Sequence, residues 1–167
     1  LIFSNGVTDN GDGTINVPAG VTSFTATLPT VDDTDVEFTE TVPFNVDGVV
    51  ATGSILDNDQ PTITEVSVSN QGDEVVEGND LVYTVALSEA PITDATYPFS
   101  IGGGTADPVD YGTLIFSNGV TDNGDGTINV PAGVTGFTAT LPTVDDTEVE
   151  FTETVPFNVD GVVATGS

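Results

Sequence analysis

Apolar and polar residues alternate in short runs along this chain, and almost nothing has the spacing of a helix. Asp80–Ser88 (DLVYTVALS) places Leu81, Tyr83, Val85 and Leu87 on one face of a strand. Pro61–Asn70 (PTITEVSVSN) also alternates: Ile63, then Glu65 out of step, then Val66 and Val68. Ala95–Ile101, Leu114–Phe116, Gly126–Val130, Gly136–Leu141, Glu150–Val159 and Gly161–Ser167 are the other candidate strands. Gly102, Gly103 and Gly104 mark a turn or bulge. Asn-Gly and Asp-Gly within Thr121–Thr127 predict a hairpin with a type I′ turn, which needs positive φ at both central residues. The same stretch does not have the oxygen-ligand spacing of an EF-hand loop. Short Val-, Thr-, Ile- and Phe-rich strands between Gly, Pro, Asn and Asp predict an all-β fold. We expect an antiparallel β-sandwich of about seven strands over residues 60–167. Its expected core holds Leu81, Tyr83, Val85, Leu87, Phe116, Phe137, Phe151 and Phe157.

The same pattern occurs twice. Residues 1–54 return at 114–167, with Ser23 replaced by Gly136 and Asp35 by Glu148 as the only differences. The chain therefore reads as part of a tandem array. Residues 1–59 form the C-terminal half of one sandwich repeat, and 60–167 one nearly complete repeat. The connector Ile55–Pro61 (ILDNDQP) is short and stiffened by Pro61, so successive units are expected to form a rod. Its seven residues span at most ~25 Å, too little for residues 61–113 to pair with 1–54 of the same chain. The leading half is thus expected to remain an orphan or to make a domain-swapped contact through 1–54.

Composition narrows the function. The chain has 27 Asp and Glu residues, no Lys, Arg or His, and a formal charge of −27. Such a chain repels nucleic acid and anionic membrane surfaces, and it repels itself unless cations bind. Cysteine is absent, which excludes disulfides and thiolate metal sites; a metal is the usual alternative staple for a small all-β domain. No apolar stretch is long enough for a spanning helix. Without His, Cys or Lys there is no ordinary nucleophile–base pair, and without Trp no aromatic wall for a sugar cleft, so an enzyme is not expected.

The carboxylates are clustered. Asp145, Asp146, Glu148, Glu150 and Glu153 lie close together, as do Asp32, Asp33, Asp35, Glu37 and Glu40 in the first copy. The connector adds Asp57, Asn58 and Asp59. In a desolvated loop such charges repel, and a hard divalent cation reverses that cost; flexible loops favour Ca²⁺ over the stricter octahedron of Mg²⁺. The bland alternative is a solvated acidic surface.

Four motifs occur: V-x-E-G-x-x-x-x-Y-T-V-x-L-S from Val75, G-T-A-x-x-x-D-Y from Gly104, D-D-x-E-x-E from Asp145, and, closing the preceding repeat, I-L-D-N-D from Ile55 in the connector. Together they resemble a Calx-beta domain, and are similar to the immunoglobulin-like extender repeats of giant repeats-in-toxin (RTX) bacterial adhesins. The resemblance implies calcium held at one tip of the sandwich. In the full unit Glu77, Asp110, Asp145, Asp146, Glu148 and Glu150 would be ligands; in the first copy Asp32, Asp33, Asp35, Asp57, Asn58 and Asp59 would supply the complementary part. It also implies an extracellular, bacterial cell-surface protein: a calcium-rigidified spacer that projects an adhesive tip, with neighbouring repeats as its contacts. The alternative is a calcium-dependent ligand-binding or calcium-sensing module.

Overall fold

The computed structural model describes residues 1–68, 74–147 and 149–167. The chain forms two compact units, Leu1–Asp35 with Glu40–Ile55, and Val36–Thr39 with Leu56–Ser167. The first holds β1 (Ile2–Phe3), β2 (Thr8–Asp9), β3 (Ile15–Asn16), β4 (Ala26–Thr27), β5 (Glu40–Val46) and β6 (Val49–Ile55). They pair only as β1–β4, β2–β3 and the hairpin β5–β6. Val7 is the one buried apolar residue among the described residues of this unit.

The second unit holds β7 (Ile63–Val68), β8 (Asp80–Leu87), β9 (Ala95–Ile101), β10 (Ile115–Phe116), β11 (Thr121–Asp122), β12 (Thr127–Val130), β13 (Gly136–Pro142), β14 (Val155–Val159) and β15 (Val162–Gly166). They form two antiparallel sheets, β10-β13-β8-β7 and β11-β12-β9-β14-β15. Both sheets contribute their apolar faces to a single core, so the unit is a β-sandwich, and no helix occurs among the described residues. Nine strands are described rather than seven. The run after Leu114 splits at Asn118–Gly119, both with positive φ, so that β10 joins one sheet and β11 the other.

The register of β7 on β8 slips between Ile63 and Glu65. That bulge lets Ile63 and Val66 both face the core while Glu65 stays exposed. The expected strand end at residues 69–70 lies outside the described residues. Leu81, Tyr83, Val85, Leu87, Phe137 and Phe157 are buried, and Phe116 packs against them half-buried. Full burial of each such side chain contributes about 1.5–3 kcal/mol. Tyr83 and Tyr97 carry hydroxyls into this core and satisfy them, donating to the carbonyls of Val155 at 2.5 Å and Pro61 at 2.6 Å.

Phe151 does not join the core; it is 96% exposed. The strand expected from Glu150 begins only at Val155. The reason lies at Thr154, which is held by Thr105: the Thr154 amide donates to Thr105 Oγ1 at 2.8 Å, and the Thr105 amide donates to the Thr154 carbonyl at 3.1 Å. A Cβ at Gly104 would sit on the Thr154 carbonyl, so this approach needs glycine. Residues 149–153 therefore run outside the sheet.

The hairpin expected at Thr121–Thr127 forms, pairing Thr121 with Asn129 and Asp122 with Ile128. Its turn is not type I′, because only Gly124 and Gly126 have positive φ and they are not adjacent. Asp122 and Asp125 cap the loop instead, accepting from the amides of Gly124 at 2.7 Å and Thr127 at 3.1 Å. Two-residue turns with positive φ at both positions occur at Asp160–Gly161, between β14 and β15, and at Asp47–Gly48, between β5 and β6.

Candidate metal centre

Three loops of the second unit meet beside the ends of β8, β13 and β14. The β7–β8 loop turns at Gly78, where the Asn79 amide and Nδ2 both donate to the Val76 carbonyl at 3.1 and 2.9 Å. The β9–β10 loop turns at Asp107–Asp110: the Asp110 amide donates to the Asp107 carbonyl at 3.0 Å, and the Asp107 amide to Asp110 Oδ2 at 2.7 Å. The β13–β14 loop is laced to both. Thr143 Oγ1 donates to the Asn79 carbonyl at 2.7 Å, and the Val144 amide to the Asp110 carbonyl at 2.8 Å. Backbone bonds thus fix where the side chains of Glu77, Asp110 and Asp146 start.

These loops surround a cavity of about 290 Å³, lined by the carboxylates of Glu74, Glu77, Asp110, Asp146, Glu150 and Glu153 above an apolar floor that includes Leu81 and Val155. Carboxylate oxygens of Asp110, Glu150 and Glu153 all lie within 4.8 Å of one another. Oxygens on opposite sides of a calcium ion, each about 2.3–2.6 Å from it, are about 4.6–5.2 Å apart, so three at this spacing suit one coordination shell. The residues present could therefore hold a metal ion. Partial burial raises the pKa of Glu153 above its ordinary value, and so do the charge of Asp110, its hydrogen bond and the more distant Asp107. The group resists being fully ionised, which is the condition a bound cation relieves.

The residues expected from the sequence are placed unevenly. Asp110 and Glu150 belong to the converging trio, while Glu77 and Asp146 line the same cavity, with the Asp146 amide 3.5 Å from Glu77 Oε2. Asp145 does not line it; its Cβ packs against Gly78, where a Cβ would lie 2.9 Å away. Glu148 lies outside the described residues. Glu153 and Glu74 were missing from the expected set. Glu153 was visible in the acidic cluster, but a strand over Glu150–Val159 would send Glu150 and Glu153 to opposite faces. Because the strand starts at Val155, both reach the same side.

The first-copy residues are not members of this trio. Asp32, Asp33 and Asp35 are exposed in the first unit, and Asp33 Oδ1 accepts from the Asp35 amide at 3.0 Å. In the connector Asp57 accepts from the amides of Glu37 at 2.9 Å and Asp59 at 3.1 Å. Those two bonds, the Glu37 one first, hold the Asp57 carboxyl below its ordinary value. Asn58 is exposed and Asp59 half-buried.

No family model matches the chain, and no curated protein matches it. Among solved structures, domains 4 and 5 of the S-layer protein SbsC align with 16% identity and a TM-score of 0.35. The alignment covers 77% of this chain and 63% of that one, so the chain spans less than two thirds of its length; the likeness is too slight to bear on function.

Proposed function

We propose that the chain is a stretch of a calcium-stiffened extender array in a secreted bacterial cell-surface adhesin, a spacer rather than an enzyme. The observation that carries this reading is the convergence of Asp110, from the β9–β10 loop, with Glu150 and Glu153, from the β13–β14 loop, in a chain whose sequence repeats almost without change. Near-identical units in series serve length. Carboxylates gathered on an apolar floor, with no cationic side chain anywhere in the sequence, call for a cation from solution. Flexible loop carboxylates favour calcium, and extracellular modules bind it at roughly 10⁻⁴ to 10⁻³ M.

In this reading calcium ties the β9–β10 loop to the β13–β14 loop and staples the sandwich. Neighbouring repeats are the structural contacts, and Asp57 and Asp59 place charge at the connector, where an ion would set the angle between units. At about 100-fold excess over Kd, one site adds about 2.7 kcal/mol to the folded state. A calcium-filled array would be rod-like and a chelated one flexible.

The test is thermal melting of the chain in calcium and in EDTA, with Asp110→Asn/Glu153→Gln beside the parent. We expect EDTA to lower the parent's melting point by several degrees and to have little effect on the double variant. Equal melting curves in both buffers would reduce the cluster to a solvated acidic surface. Small-angle scattering on four repeats in series tests the spacer role: the maximum dimension should fall on chelation, and also when Asp57 and Asp59 become Ala in every connector.

A further inference from the structure

The turn at Gly102–Thr105 touches both segments that bring the trio's carboxylates to the cavity. Tyr111, next to Asp110, lies over Gly102, where a Cβ would stand 2.7 Å from the Tyr111 hydroxyl. Thr154, next to Glu153, lies over Gly104, where a Cβ would run into the Thr154 carbonyl. Between them Gly103 has a φ of +82°, close to the +91° of Gly102, but nothing lies within 4 Å of where its Cβ would be. Gly102 and Gly104 are thus seats for a neighbouring residue, while Gly103 only bends the chain.

Hydrogen bonds fasten both seats. Thr105 Oγ1 accepts from the Thr154 amide at 2.8 Å, and the amides of Thr105 and Ala106 donate to the Thr154 carbonyl at 3.1 and 3.3 Å. The Gly102 amide donates to the Pro156 carbonyl at 2.9 Å, which ties the turn to β14. On the other side Tyr111 bridges to Thr143, and the Gly112 amide donates to the Pro142 carbonyl at 2.8 Å. The backbones that carry Asp110 and Glu153 are therefore located by groups without charge.

We propose that Gly102, Gly104 and Thr105 are positioning residues of the acidic site. One turn seats Tyr111 and Thr154, and so holds the oxygens of Asp110 and Glu153 within 4.8 Å of each other. Two carboxylates at that spacing repel, so something other than their own interaction must keep them there. Residues that orient ligands from behind set the affinity of a site, and losing one costs 10–100-fold in metal binding. The proposal rests on the reading of this cluster as a divalent-cation site, and adds to it the uncharged residues on which that site depends.

Terbium binding to the full chain tests it. Terbium occupies calcium-type oxygen sites, and a nearby tyrosine sensitises its emission. Tyr111 lines the cavity, whereas Tyr83 and Tyr97 are buried in the core. We expect calcium-displaceable emission from the parent and its loss in Asp110→Asn/Glu153→Gln. Thr105→Val keeps the side-chain shape but removes the acceptor, and should weaken terbium about tenfold. Thr105→Ser keeps the hydroxyl and should bind like the parent. Gly102→Ala should weaken binding by as much as Thr105→Val. Gly103→Ala carries the same backbone strain with an open Cβ position, and should lower the melting point without changing terbium affinity. Affinities are compared on variants whose melting curves in EDTA show a folded state. A parent without sensitised emission would sink the metal reading and this proposal together. Parent-like binding by Thr105→Val, weakened binding by Thr105→Ser, or equal weakening by Gly102→Ala and Gly103→Ala would each overturn the positioning role while leaving the metal site in place.

Discussion

Residues 1–54 and 114–167 have nearly one sequence and two different structures. In the second copy β13 runs over Gly136–Pro142 and β12 over Thr127–Val130; in the first, their counterparts β4 and β3 are two residues each. Yet the polar hairpin loops of the two copies match almost atom for atom. Asp12 Oδ1 accepts from Thr14 Oγ1 at 2.6 Å, and Asp125 Oδ1 from Thr127 Oγ1 at 2.6 Å. The amides of Asn10 and Asn123 each donate at 3.0 Å to the carbonyl four residues on. Asp12 and Asp125 both have pKa values below the ordinary 3.8, chiefly through that threonine hydroxyl. Loops whose partners lie two to four residues away keep their shape in either setting. Strands whose partners lie in 61–113 keep it only where those residues are present.

The largest test of this contrast is truncation of an equivalent side chain in each copy. Phe157→Ala should destabilise the second unit by about 3–5 kcal/mol, as a core aromatic does. Phe44→Ala should leave that unit's unfolding within about 0.5 kcal/mol of the parent. Tyrosine fluorescence in urea reads this selectively, because Tyr83, Tyr97 and Tyr111 all lie in the second unit. Hydrogen exchange should agree, with amides of 137–141 slower than those of 24–28 by on the order of a thousandfold. Equal protection in the two copies would mean the first half is ordered by something other than a missing strand pair.

The natural difference between the copies gives a sharper and smaller test. Gly136→Ser forces a side chain against the Val85 carbonyl and should cost about 1–3 kcal/mol in the same urea titration. Ser23→Gly should change little, within about 0.5 kcal/mol.

At the acidic site the copies differ again. Glu40 pairs with Ile55 within a strand and is exposed, whereas its counterpart Glu153 stands beside Asp110. Glu153→Gln should raise the melting point in chelator, by removing a repelling charge; the proposed calcium site further requires that it lower the melting point in calcium. Glu40→Gln should do neither.

The smallest expected effects are pH effects, and they have opposite signs. The folded pKa of Glu153 is raised, so its penalty is complete above that pKa. In chelator, stability should therefore rise as pH falls from there to the ordinary 4.5. Asp125 is depressed, so its contribution is present above 3.8 and lost as pH falls through its folded pKa. Carbon-13 NMR of the carboxyls should give Asp12 and Asp125 matching low midpoints; a normal midpoint for Asp12 alone would show that its loop, too, needs a partner.

Much of the sandwich was legible because alternation is a local signal. The buried face of β8 could be read from residue order, and Glu65 stands out of step in that order, where the structure places the bulge beside it. The split of the segment after Leu114 between two sheets could not, because two-residue strands carry no periodicity. The late start of β14 was hidden as well: it depends on Thr105, far away in sequence, holding Thr154. That single displacement puts Phe151 in solvent instead of the core and brings Glu153 beside Asp110 and Glu150.

By itself the sequence determined the all-β class, the tandem duplication, the turn positions and the self-capped aspartate loops. Each rests on contacts a few residues long or on direct identity. Only the tertiary structure decided which copy becomes a sheet and which carboxylates share a cavity. A strand's hydrogen bonds and buried face are supplied by other strands, and the acidic trio is assembled from loops brought together by those strands. Identical residues with and without their partners therefore end as a buried core in one copy and an exposed face in the other.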